Sequence, residues 1–420
     1  MSWGLLNDWS SYLLVMVKRL ERIPVFESGA HGVYCYRIPA LTCTTKGTLL
    51  AFCEARKRSC SDWAHSAIMS RRCIDPVSRL DDWVDPIVIF ESDRLLAPRS
   101  WPEMLEAGTF AELKGWDQDS EDFEPLIDVC TNNPVPITDR DGKTIHLVFC
   151  EHYDKAFYTR SMDDGVTWET PLDITAVLQE FKEEYDWTVI AAGPGHGIQL
   201  RKGPLKGRLV IPFWLASNPE DPGSHKPSQV AVIYSDDGGD TWNSGDFVPF
   251  TIKSPSETQG IQLANGSVRL YSRNIQSMDP NNPTCGKAMT TSGDGATAWT
   301  PYEFNESLPE PICMGSVISL PWHDDNPNKV VVYTSPDSRA TIKGPGTRHK
   351  LTAWLSEDGG KTFKKKRVIE PGPSAYSDLA IDARNNFIYC LFEDGSIPGK
   401  KGTYNGLSIA RFTEDWIKES

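Results

Sequence analysis

Cysteine, arginine, tyrosine and the acids are the side chains of this sequence that could do chemistry, and their spacing removes several kinds of chemistry at once. The ten cysteines are Cys35, Cys43, Cys53, Cys60, Cys73, Cys130, Cys150, Cys285, Cys313 and Cys390. No two form a CxxC pair and no Cys/His spacing suits zinc, so no metal and no other cofactor is expected. Several lie in apolar, strand-like runs, such as Cys53 in LLAFCEA and Cys150 in IHLVFC. They read as reduced, buried thiols of a reducing compartment. The stretch Ala192-Gly-Pro-Gly-His196-Gly allows unusual backbone angles and close approach. No Gly-Lys-Ser/Thr follows, so it is not a phosphate loop, and His196 reads as structural. Arginines and carboxylates near strand-like runs remain. An arginine fork suits a carboxylate ligand, because it makes paired, charge-assisted bonds and stays protonated.

The elements that would hold such residues are short strands between tight turns. The motif Ser-x-Asp-x-Gly-x-Thr-Trp/Phe runs Ser161 to Trp168, Ser235 to Trp242 and Ser356 to Phe363. A degraded copy, Ser292 to Trp299, keeps the Ser, Asp and Trp but loses the later Gly and Thr. The Asp can brace a hairpin through backbone amides, the Gly supplies positive φ, and the aromatic re-enters a strand. Apolar strand-like runs occur at Thr48–Cys53, Ile145–Cys150, Arg208–Trp214, Ser267–Ser272, Val330–Thr334 and Phe387–Phe392. Helical periodicity is confined to Ile174–Tyr185 and a proline-interrupted stretch after Leu95. Repeated hairpins with many short strands predict an all-β propeller, which protects its sheet edges.

Composition sets outer limits. The net charge of −14 argues against a nucleic-acid partner, although a locally basic pocket remains compatible with it. Leu13–Val17 is too short for a membrane span, and Asp8 before it with Lys18 and Arg19 after it reverses a signal peptide's charge order. A cytoplasmic location is therefore expected. Asn265-Gly-Ser267 and Asn305-Glu-Ser307 are sequons.

From about residue 24 onward the chain resembles the sialidase (neuraminidase) family. Tyr36-Arg37-Ile38-Pro39-Ala40-Leu41, the segment Gly47 to Arg72 and the four hairpin motifs in order carry the likeness. The resemblance implies a six-bladed β-propeller with Asp-box hairpins over residues 24–420, after an N-terminal extension of 1–23 and with an insertion at about 95–124. It implies an exo-acting, retaining glycosidase of terminal sialic acid with a tyrosine nucleophile, an exception to the usual pair of carboxylates. A neutral phenol is not repelled by the substrate's carboxylate, but with a pKa near 10 it needs a base. On matching motifs the nucleophile is Tyr376, its base Glu257 and the acid/base Asp62, with Trp63 beside it to help keep that carboxyl partly protonated. The carboxylate clamp is Arg37, Arg273 and Arg348, with Arg339 as competitor for the third. Arg56 faces the pocket and Glu393 orients the first arginine. Asn133, Tyr185 and Trp187 are further candidates for the pocket wall. Partners would be sialylated glycans, glycoproteins or glycolipids. A trans-sialidase, a sialidase for deaminated sialic acid, a two-carboxylate glucan hydrolase and a non-catalytic glycan-binding propeller are the rival readings. Only the last two have no use for this arginine–tyrosine set.

Overall fold

The computed structural model describes residues 20–97, 127–279, 286–323, 330–396 and 404–419. Most of the predicted insertion and of the N-terminal extension, and Cys285, lie outside them. Within them the chain is all-β. The first sheet is Cys35–Cys43, Leu49–Arg56, Ser66–Cys73 and Ile87–Glu91, in that order. The second is Thr131–Thr138, Ile145–Glu151, Lys155–Ser161 and Leu172–Asp173. The third runs Val189–Ala192, Leu209–Ala216, Ser228–Ser235 and Asn243–Phe247, with Ile198–Gln199 also on its second strand. The fourth is Thr258–Gln262, Val268–Ser272, Gly286–Ser292 and Glu303–Pro309.

Leu95–Leu96 and Ile127–Asp128 pair as a separate two-stranded sheet, and the other strands form one seven-stranded path that changes direction inside a single strand, Lys365–Asp382. Its beginning pairs with His349–Ser356, as in Leu355↔Lys365, and leads on to Val331–Pro336 and Ser316–Ser319. Its end pairs with Phe387–Asp394, as in Asp382↔Phe387, and leads on to Gly406–Phe412 and Glu21–Glu27. The last pairing joins the two ends of the described chain. It also recruits 21–23, which the sequence had left in the extension. The one helical prediction inside the described residues becomes a short helix, Thr175–Gln179, followed by a 3-10 turn, Glu180–Glu183.

The hairpin motifs act as the sequence suggested. In the third sheet, Asp237 Oδ1 accepts from Thr241 N (2.9 Å) and Oδ2 from Thr241 Oγ1 (2.6 Å), while Ser235 Oγ accepts from Gly239 N (2.8 Å). Gly239 has φ +90°, and a Cβ there would lie 2.3 Å from the Tyr158 hydroxyl. The degraded copy recovers the same bracing by a one-residue shortcut. Thr297 N and Oγ1 bond Asp294 at 2.7 and 2.8 Å. The aromatics of the three complete motifs cover the seam with the preceding sheet. Trp168 packs edge-on against Phe52 at 5.8 Å, Trp242 against Tyr158 at 5.5 Å and Phe363 against Tyr271 at 6.5 Å. The first sheet lacks the motif, but Trp83 is still buried against it and bridges Cys73.

The sheets meet on one buried carboxylate. Asp378 is 0% exposed. Its Oδ2 accepts from Leu41 N (2.8 Å) and His196 N (2.9 Å). Its Oδ1 takes bonds from Gln259 Nε2 (2.8 Å) and Ser316 Oγ (2.9 Å) and pairs with His196 Nδ1 (2.8 Å). Those partners belong to four other strands or loops, of the first, third, fourth and fifth groups. Gly195 is needed beside them, since at φ +85° a Cβ would fall 1.7 Å from Gln259 Nε2. Removing an acceptor that serves this many donors from a buried network strands them and costs about 3–5 kcal/mol. Asp378→Ala is expected to lose about that much unfolding free energy in urea titration; a loss under about 1 kcal/mol would show the sheets do not depend on it.

Candidate active site

Arg37, Asn133 and Tyr376 lie on strands whose regular pairing is interrupted, whereas Asp62, Glu257, Arg273 and Arg348 lie in loops or beside strand ends. Register shifts occur between Arg37 and Ala40, between Asn132 and Val135, and between Ser374 and Ser377. Such bulges re-aim side chains. Ile38 is held at φ 57°, a strained conformation for a β-branched residue. Its N–H reaches Glu393 Oε1 at 3.3 Å, so the strain is held by the same carboxylate that holds Arg37.

Glu393 is fully buried. It accepts from Arg37 Nε (2.7 Å) and Nη2 (3.3 Å), and from the backbone N–H of Tyr376 (3.2 Å). One carboxylate therefore sets the guanidinium and the tyrosine together. The Arg37 guanidinium lies 5.3 Å from the centre of the Tyr376 ring, and that of Arg348 lies 5.2 Å from it. Arg348 also reaches Tyr404 Oη at 3.4 Å. Arg339, the competitor, is turned away and donates to Glu306 O at 2.6 Å.

Arg273 Nη1 donates to Tyr376 Oη (2.8 Å) and Glu257 Oε2 (2.6 Å), and the Tyr376 hydroxyl donates to Glu257 Oε1. Burial, reinforced by Glu257 and opposed by Arg273 and Arg348, pushes the Tyr376 hydroxyl well above the ordinary phenol range. It stands protonated beside a carboxylate acceptor. Arg37, Asp62, Glu257, Arg273, Arg348 and Tyr376 line a single cavity of about 140 Å³. A larger one, about 400 Å³, opens further along the same inner strands beyond His196. There Asp382 bonds Arg384, and Asp139 bonds His146 and Gln199.

Asp62 overturns one expectation. It sits 2.9 Å from Arg56 Nη2 and 3.7 Å from Arg37 Nη1, with its side chain 46% exposed. Burial alone would raise it, but Arg56, then Arg37 and His225, outweigh that and hold the carboxyl well below the usual carboxylate range. It is ionised, not partly protonated. Trp63 does not change this, because its ring packs with His152, Tyr153 and His225. Arg56 lies beneath the cavity, 1% exposed and bonded to Glu54 and Asp62. Asn133 is buried, its N–H on Glu54 Oε1 at 2.8 Å. Tyr185 and Trp187 pack into a hydrophobic cluster instead of the cavity wall.

Sequence reasoning missed Glu54, Asp378, Tyr404 and His225. Glu54 was findable, since two residues from Arg56 on one strand puts both on one face. The others come from sheet-to-sheet contacts with no local signal. The cysteine reading also needs revision. Cys35 and Cys60 form a disulfide, while Cys43, Cys53, Cys73, Cys130, Cys150, Cys313 and Cys390 are free. The bridge ties the strand bearing Arg37 to the loop bearing Asp62.

Residues 118–390 match a family profile described as a BNR repeat-like domain. The sialidase of Micromonospora viridifaciens is 25% identical over 404 residues, covering 93% of this chain and 53% of that protein. The chain belongs to the sialidase family. The sialidase of Bacteroides fragilis is 26% identical over 88% of this chain and 60% of that protein. The chain thus spans little more than half the length of these two sialidases. Sialidase-2 of Rattus norvegicus is 27% identical, covering 87% of this chain and 90% of that protein. In fold, the chain is similar to the Hadza microbial sialidase Hz136, with a TM-score of 0.68 at 20% identity over 94% of this chain and 69% of that one.

The disulfide closes a loop whose sequence separation is 25, worth about 3 kcal/mol in the chain-entropy account. Cys60→Ser is expected to lower unfolding free energy by about that amount and to speed tryptic cleavage after Arg58. Unchanged cleavage and stability would show that the loop is held without the bridge.

Proposed function

We propose that this sialidase-family chain is a retaining exo-sialidase that hydrolyses terminal α-linked sialic acid from glycoconjugates through a tyrosyl intermediate. The observation that carries this reading is the Tyr376 hydroxyl shared between Glu257 and Arg273 in a cavity also lined by Arg37 and Arg348. A neutral glucan would have no use for three guanidiniums around one tyrosine, whereas the carboxylate on sialic acid's anomeric carbon would. A six-bladed propeller is the architecture we assign. Three four-stranded sheets, one of five strands and a seven-stranded path dividing within Lys365–Asp382 support it.

In the first step Glu257 takes the phenolic proton and Tyr376 Oη bonds to the anomeric carbon. The bond to the leaving oxygen breaks, and that oxygen takes a proton from Asp62. In the second step Asp62 takes a proton from water, whose oxygen bonds the anomeric carbon. The bond to Tyr376 breaks and Glu257 returns its proton. Asp62 is ionised in the free protein, so it must take up a proton before the first step. A substrate carboxylate on Arg37 would neutralise part of the charge that holds Asp62 down, and so raise its proton affinity where the acid is needed. The positive cluster and the acid are then linked by occupancy.

The reading is tested with 4-methylumbelliferyl sialoside. Wild type should release the fluorophore, and Tyr376→Phe should lose at least about 100-fold in kcat with its circular dichroism unchanged. An inactive wild type of intact fold would favour a binding propeller. Asp62→Ala should cost a sialyl-galactoside at least about 100-fold and the aryl sialoside much less, because an aryl oxide leaves without protonation. Equal losses on both would remove Asp62 from the acid role.

A further inference from the structure

The side chain of Arg273 is held by Glu257 and Tyr376, and the backbone beyond it is held from outside the cavity. Asn274, the next residue, is fully buried. Its N–H and its Nδ2 donate to Oε2 of Glu310 at 3.2 and 3.3 Å. Glu310 lies just past the strand Glu303–Pro309 and has no exposed surface. Its other oxygen, Oε1, accepts from the Ile312 N–H at 2.7 Å, and Ile312 stands at φ 61°. Cys313 and Met314, which follow, pack in one cluster with Ile38 and Tyr376. Buried Lys287 balances the charge. Its Nζ lies 2.7 Å from Glu310 Oε2 and reaches Cys313 O at 3.3 Å. Neither Glu310, Lys287 nor Asn274 lines the cavity.

A buried ion pair stabilises a fold little more than well-packed apolar groups of the same size, so stability alone does not account for Glu310 and Lys287. Their geometry points to placement instead. A β-branched residue at positive φ persists only where its surroundings over-determine it, and the Glu310 carboxylate does this for Ile312. The same carboxylate captures the backbone that leaves the strand Val268–Ser272 beyond Arg273. It therefore fixes two segments at once, one carrying Arg273 and one packed on Tyr376. The side chains of those two residues meet at 2.8 Å. Glu393 stands in the same relation to Ile38 and Arg37.

We infer that Glu310 is a positioning residue. Through Asn274 and Ile312 it sets the Arg273 guanidinium against the Tyr376 hydroxyl, and Lys287 balances its charge. This rests on the roles given to Arg273 and Tyr376 above.

The test combines Lys287→Met with Glu310→Gln, which removes both charges together and leaves one acceptor oxygen for two backbone amides. Hydrolysis of 4-methylumbelliferyl sialoside would be measured on this variant and wild type, and again with Arg273→Lys added to each. With Arg273 present, kcat/KM is expected to fall at least about tenfold, part of it as a raised KM, because the displaced guanidinium would also hold the substrate carboxylate. A smaller folded fraction would lower kcat and leave KM unchanged. With Arg273→Lys, the change at Glu310 should cost less than about twofold, because the group it positions has gone. An unaffected kcat/KM, or the same loss in both backgrounds, would overturn the inference. Should the charge-free variant not fold, Glu310→Asp keeps the charge beside Lys287, draws the carboxylate back by one methylene and is read by the same two comparisons. A wild type that releases no fluorophore defeats the sialidase reading and the positioning role with it. An active wild type beside an unaffected variant defeats the role alone.

Discussion

A carboxylate with no access to water, Asp378, is the constraint from which the site follows. Ionised groups are tolerated in such a place only when hydrogen bonds replace their hydration. Asp378 obtains them from Leu41, His196, Gln259 and Ser316, which lie on different sheets or their connections. Satisfying this one group therefore fixes the inner edges of several sheets relative to each other. Tyr376 stands two residues earlier on the same strand and Arg37 four residues before Leu41. The nucleophile and the first arginine inherit their positions from the same anchor.

Above that anchor the problem is like charge. Arg37, Arg273 and Arg348 crowd one tyrosine, and without compensation they would repel one another and solvate separately. The compensation is uneven. Arg37 is held by Glu393 at 2.7 Å and Arg273 by Glu257 at 2.6 Å. Arg348 has the Tyr376 ring and the Tyr404 hydroxyl, with no ion pair among the described residues. Asp62 adds a third carboxylate, 3.7 Å from Arg37, so Arg348 is the arginine of the cavity with no carboxylate beside it among the described residues, and an anionic substrate group would give it one.

What was legible in the sequence divides along a physical line. The Asp-box hairpins, the strand runs and the residues now gathered around Tyr376 sit in short contiguous motifs, and each can be seen without its neighbours. Asp378, His225 and the Cys35–Cys60 bridge depend on contacts between distant segments, and nothing local marks them. The error over Asp62 is of the same kind. Its environment was judged from Trp63, one residue away, whereas Arg56 and Arg37 decide it from two other strand positions. Thr297 shows the converse. A motif judged degraded by its letters still braces its turn, because the backbone needs a hydroxyl and an amide near Asp294, not a fixed spacing.

The strained backbone at Ile38 completes the argument. A β-branched residue at φ 57° is costly, and it persists only where surroundings over-determine it. Here Glu393 does so from both sides, accepting from the Ile38 N–H and from the Arg37 side chain while also holding the Tyr376 N–H. A regular strand would have turned Arg37 by its pleat alone. The bulge frees that orientation from the pleat and gives it to Glu393, which also holds Tyr376. The strain thus couples the group that would bind the substrate's carboxylate to the group that would attack the adjacent carbon, so that neither can shift without the other.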